Sequence, residues 1–247
     1  MVQIDQNKLQ AAIDAYKKYF PTKIGDEIYK WKAVKCFQDN WDIDAEDFAE
    51  MFWAATGKTE NLITSINRFP RKMLYEFAKL EQECVRNMFK GLFDERLELE
   101  QRISEFIKGA EALCVKHFPG KMHYQDLNSI STYLWMRYPD KYFIFKYSEV
   151  KRAINVLGAN FEVKKGASIS KVSSSFEMFE IMAEALNLDA NARPMLNAVL
   201  TNDCYKDEYL HTMTVDLTFF ISRYYNEAQA SSAEAVKQRT WMFSPGE

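Results

Sequence analysis

The sequence predicts a mainly α fold, a multi-helix globular domain with at most a short strand or hairpin. Three observations carry this expectation. The 247 residues include only 8 Gly and 6 Pro, too few for the many tight turns of an all-β chain. Apolar residues recur at three- and four-residue spacing along most of the chain, the period of a helix with one buried face. A single short run, Tyr142-Phe143-Ile144-Phe145, has the aromatic and β-branched character of a strand or an extended connection.

The elements follow in order. Residues 5–20 form an amphipathic helix through Leu9, Ala12, Ile13, Tyr16 and Phe20, and Pro21 is expected to end it. A second helix runs from about Gly25 to Gln38, with Ile28, Trp31, Val34 and Cys36 as its apolar positions. Asp44 is expected to cap a third, with Asp47 three residues on as a variant capping box. A short helix is expected over Thr59–Asn67, and Pro70 suits the first turn of the next one. Residues 82–118 read as one or two long helices whose period slips once. His123 to Arg137 is a helix, Pro139-Asp140 a turn, and Ser148-Glu149 opens a helix that Gly158 stops.

The domain layout expected is a helical part over 1–158, a loop or junction over 159–175, and a C-terminal helical part of the same domain over 176–228. The segment 159–175 carries Gly, Ser and Lys with little period. Further helices are expected over 175–187, 191–201 and 207–228, and 229–247 reads as a polar linker.

Composition bounds the function. Net charge is −3, which argues against a strongly basic coat but leaves room for a local basic face. Cys36, Cys84, Cys114 and Cys204 form no close pair and no metal spacing, which suits reduced thiols in a cytoplasmic protein. The polar N-terminus does not read as a signal peptide, and no run is apolar enough for a membrane span.

Few motifs carry chemistry. Gly57-Lys58-Thr59 resembles the end of a phosphate loop, but Phe52 stands where that loop needs its first glycine. His117, His123 and His211 have no zinc spacing. The acidic run Asp39, Asp42, Asp44, Glu46, Asp47 and Glu50 suits either a metal-dependent nuclease or the acidic N-terminal turn of a helix. The helix turn is the simpler reading, because no (D/E)xK strand accompanies the run. No metal and no cofactor are expected.

Basic residues cluster near aromatic ones. Lys30, Lys32 and Lys35 surround Trp31; Arg68, Arg71 and Lys72 flank Phe69; Arg137, Lys141 and Lys146 alternate with Tyr138 and Tyr142. Cations bind phosphates and ring faces stack on bases. These cations, with Tyr138, are therefore the expected DNA-binding positions. Trp31, Trp41 and Tyr142 are the expected stacking rings, and Trp135 is a further ring available.

Four strings carry a family resemblance: YKWKAVKCFQDNWDIDAEDFAEMF (29–52), NRFPRKMLYEFAK (67–79), SISTYLWMRYPDKYFIFKYSEVK (129–151) and LTNDCYKDEYLHTMTVDLTFFISRYYNE (200–227). Together they resemble the N-terminal region of McrB-type proteins, the nucleotide-driven component of modification-dependent restriction systems. That resemblance implies a phage-defence DNA-recognition domain, non-catalytic by itself, that reads DNA with or without a modified base. It implies that 229–247 leads towards an AAA+ motor lying outside this sequence, and that an McrC-like nuclease subunit is engaged through that motor. No residue-level role transfers with the resemblance. The alternative is a protein-interaction module that docks a partner subunit or a phage component, for which the negative net charge and the acidic run speak.

Overall fold

The computed structural model describes residues 1–64, 69–166 and 169–228. Helix α1 (Gln6–Glu27) starts where the Asp5 carboxylate accepts the backbone N–H groups of Asn7 and Lys8, two of the donors that a helix start leaves unpaired. It does not end at Pro21, which stands inside it. Phe20 and Ile24, on either side of the proline, are both buried, so core packing carries the helix across the lost N–H. The Thr22 hydroxyl donates to the Tyr19 carbonyl at 2.6 Å and closes the turn locally.

Helix α2 (Tyr29–Asn40) follows after one residue, Ile28, which keeps helical dihedrals. Helix α3 (Phe48–Ala55) is capped by Asp47, not Asp44: the Asp47 carboxylate accepts the Glu50 N–H. Asp44 sits in the preceding turn, its own N–H donated to the Asp42 side chain. The helix expected at Thr59–Asn67 is absent over its described part, residues 59–64, where the chain turns and the buried Thr59 hydroxyl donates to the Thr56 carbonyl. Residues 65–67 of that expectation lie outside the described residues.

Helix α4 (Pro70–Leu80) has its proline in the first turn. The slip in 82–118 proves to be a break between α5 (Gln82–Leu92) and α6 (Leu99–His117). The buried Arg102 guanidinium holds that break, donating to the Leu92 carbonyl and the Tyr142 hydroxyl, each at 2.8 Å. Helix α7 (Leu127–Arg137) begins later than His123 because Asp126 and Ser129 form a full capping box. Tyr142–Phe145 is a buried extended connection, and no strand is present among the described residues. The Phe145 N–H, with no ladder to join, donates to the buried Ser131 hydroxyl at 2.8 Å.

Helix α8 (Tyr147–Leu157) stops at Gly158 in the left-handed conformation. The loop is shorter than expected. A single 3₁₀ turn (Ile169–Lys171) leads directly into α9 (Val172–Leu188), because Val172 and Ser175 pack inward. Helices α10 (Ala192–Asn197) and α11 (His211–Arg223) are each shorter than their sequence pattern. The proposed linker 229–247 lies outside the described residues.

Two groups of helices share the interior. In one, α11 packs against α1, α8 and α9. In the other, α2 to α7 pack in succession, with α2 returning against α7. Phe89 of α5 is the hub of the second group. Its ring lies 4.9–5.7 Å from the rings of Trp41, Phe93, Phe52, Phe106 and Tyr133, which accounts for much of the high aromatic content. Buried polar groups join the halves. Lys30 donates to Asp216 of α11 and to Glu27 at 2.6 Å, while the Tyr16 hydroxyl donates to the other Asp216 oxygen at 2.7 Å. Burial alone would lower the Lys30 pKa, but the adjacent Asp216 carboxylate overcomes this and holds it above its ordinary value.

Candidate functional site

The C-terminal ends of α2 and α7 converge, and Gln38 joins them. Its side-chain amide donates to the Met136 carbonyl and, at 2.9 Å, to the Arg137 carbonyl. These are carbonyls that the end of a helix leaves unpaired. The chain then turns at Pro139-Asp140, with the Lys141 and Tyr142 N–H groups both donated to the Tyr138 carbonyl at 3.0 Å. This turn sets Arg137, Tyr138 and Lys141 beside α2.

Two adjoining cavities open there and share Gln38, Arg137 and Tyr138. One, of about 290 Å³, continues over Asp140, Lys141 and Tyr205. The other, of about 370 Å³, continues over Trp41, Ile43, Lys90 and Phe93. The half-buried Trp41 ring stacks on Phe37 at 4.7 Å and 16°. Tyr138 stands edge-on to Phe93, at 5.9 Å and 84°, and donates its hydroxyl to the Phe93 carbonyl at 3.2 Å. Packed rings of this kind keep their positions without a ligand.

The charges of the groove differ in how they are held. Lys141 pairs with Glu95 at 2.6 Å, and Lys90 with Asp44 at 3.5 Å. Burial alone would raise the Glu95 carboxyl, but hydrogen bonds from Lys141 and Tyr142 hold it below its ordinary value. Arg137 has no carboxylate partner among the described residues; its guanidinium lies 4.8 Å from the Tyr138 ring centre. The Tyr205 hydroxyl donates to Asp140 on the far wall.

Trp41 therefore meets Arg137, Tyr138 and Lys141, which come from a single distant stretch of sequence. The other positions do not join them. Lys30 is 3% exposed and Trp31 fully buried, its indole N–H donated to Asp207 at 3.1 Å. Neither presents a surface to a polyanion or a base, and their expected DNA roles are corrected to core roles. Tyr142 is corrected likewise: its ring is buried, and its hydroxyl donates to Glu95 at 2.8 Å. Lys32 and Lys35 pair with Asp203 and Asp39, and Lys146 pairs with Glu149 one turn along α8. Arg71 lies 3.5 Å above the Trp53 ring and donates to the Trp53 carbonyl at 2.7 Å and the Thr56 hydroxyl at 2.8 Å. Burial lowers its pKa. Lys72 faces a different groove, and Arg68 lies outside the described residues.

Gln38, Lys90 and Tyr205 were not legible as site residues. Gln38 is neither basic nor aromatic, although it lies between Lys35 and Trp41, while Lys90 and Tyr205 lie outside the clusters singled out; only tertiary packing brings the three to Arg137. The acidic run is dispersed: Asp39 pairs with Lys35, Asp44 with Lys90, Asp47 caps α3, and Glu50 accepts from Tyr75. No group of three metal-ligating side chains exists among the described residues, and no described helix is long and apolar enough to cross a membrane. Comparison of the chain with family models, with curated proteins and with solved structures finds no match.

Proposed function

We propose that this chain is the DNA-recognition domain of an McrB-like restriction or defence protein, non-catalytic by itself, and that the Gln38–Arg137–Tyr138 groove is its nucleic-acid face. In this reading the ligand is DNA, with or without a modified base. An McrC-like nuclease subunit is recruited through a motor domain beyond this sequence. The observation that supports the reading most is Arg137, a guanidinium with no carboxylate partner at the junction of two cavities that are walled by aromatic rings.

The physics of the groove is that of a phosphate track. Arg137 is free to take two phosphate oxygens through its planar fork. Lys141 and Lys90 lie on either side of it. Their exposed ion pairs are each worth at most about 1 kcal/mol, so an incoming phosphate can displace the carboxylates. The Trp41 and Tyr138 rings supply the apolar wall that a sugar or an unstacked base needs.

Fluorescence anisotropy of labelled duplexes, unmodified and methylated, tests the reading on the whole chain at low salt. Binding to either duplex that Arg137→Glu weakens at least about tenfold supports it. No binding to either duplex rejects it.

A further inference from the structure

A second groove lies at the other end of α7, about 16 Å away along that 11-residue helix. It runs between the outer face of α4 and the connection from α6 to α7, and its cavity, of about 620 Å³, is larger than either cavity at Arg137. We propose that this groove docks a short acidic peptide segment of a partner protein, one that carries a single large apolar side chain. The inference is independent of the nucleic-acid reading.

The walls are fixed before any ligand arrives. The buried Gln125 side chain donates to the Pro70 carbonyl at the start of α4, at 2.8 Å, and accepts the Tyr133 hydroxyl at 3.1 Å. The Cys114 thiol donates to the Lys121 carbonyl at 3.3 Å. Tyr124 is held at φ +59, a left-handed conformation that a bulky residue adopts at a cost of the order of 1–3 kcal/mol. Its ring stands edge-on to Phe69, at 6.2 Å and 88°.

The floor is apolar and open. Met122 is 68% exposed and Phe69 39%. Phe118 closes one end, its inner face packed on Phe77. A methionine between aromatic rings adapts to the shape of an apolar anchor.

Charge selects the occupant. Lys72 and Lys121 stand on the rim with no carboxylate partner among the described residues. Lys121 lies 5.8 Å over the Phe118 ring. Glu76 is the opposing charge in the lining. A ligand with acidic groups beside an apolar anchor pairs the two ammonium groups while the anchor covers Met122 and Phe69. A basic ligand would leave both lysines unpaired and meet their repulsion.

The test uses the full chain with its methionines labelled at the methyl carbon and the synthetic peptide DEWADE as probe. The expected result is saturable binding that shifts the Met122 and Met73 methyl signals and leaves the buried Met136 and Met213 signals in place. Lys72→Glu with Lys121→Glu should weaken binding about tenfold or more, and Glu76→Gln should tighten it. Met122→Asp, on an exposed side chain that the fold does not need, should abolish it. The proposal is overturned if DEAADE binds as well as DEWADE, if KKWAKK does, if Met122 does not shift at about 1 mM peptide, or if duplex DNA displaces the peptide.

Discussion

Lys30 and Arg137 are both cations beside rings, and burial separates their roles. Lys30 sits between Asp216 and Glu27 with the Phe219 ring 4.5 Å away. Removing one member of a buried pair leaves the other charge uncompensated. Lys30→Ala should therefore cost about 3–5 kcal/mol, read as a lower urea midpoint. A change within about 1 kcal/mol would show that Asp216 is reached by water at little cost. At Arg137 the same truncation removes an unpaired, half-exposed side chain. Its expected stability change is within about 0.5 kcal/mol, measured in the same urea titration. The sequence could not separate these two, because the pattern of a cation beside an aromatic residue is identical at Lys30-Trp31 and Arg137-Tyr138. Only the partner 186 residues away, Asp216, decides it.

At the scale of elements, caps and stops govern where helices begin and end. Gly158 ends α8 at φ +63, and a Cβ there would lie 3.3 Å from the Lys8 Nζ. Gly158→Ala should cost about 1 kcal/mol or more, read as a drop in Tm. Asp207 caps α11 by accepting the Thr212 and Met213 N–H groups, and it also takes the Trp31 indole. Burial pushes its carboxyl up to about 6 from an ordinary 3.8. The folded chain therefore binds this proton more tightly than the unfolded chain. The stability this gives is full below 3.8 and is lost as pH rises through about 6. Asp207→Asn keeps an acceptor for the cap and should flatten the fall in urea midpoint between about pH 4 and about pH 6. An unchanged slope would assign the titration to another group. Gly158 and the first-turn proline of α4 were readable because their signals are local. Pro21 misled because Phe20 and Ile24 hold the helix through tertiary contacts, and Asp44 misled because two aspartates three residues apart offer the same cap.

Over the whole molecule, packing concentrates on one hub and charge is largely cancelled. Phe89 binds α2, α3, α5, α6 and α7 together through its ring contacts. Phe89→Ala should cost about 3–5 kcal/mol by chemical denaturation. Its helical class was legible from period and from the scarcity of glycine and proline. The site was legible only in part, because four of its residues lie in aromatic-basic sequence and the others arrive through the fold. With a net charge of −3, the DNA binding proposed above does not rest on a general cationic coat. It must come from a few positions, and its salt dependence must change when one is removed. The direct measurement is the slope of log K against log salt for duplex binding by the wild-type chain and by Arg137→Gln. The account predicts that the variant's slope is shallower by about 0.9, the loss of one phosphate contact. Equal slopes, or no binding by the wild type, would contradict it.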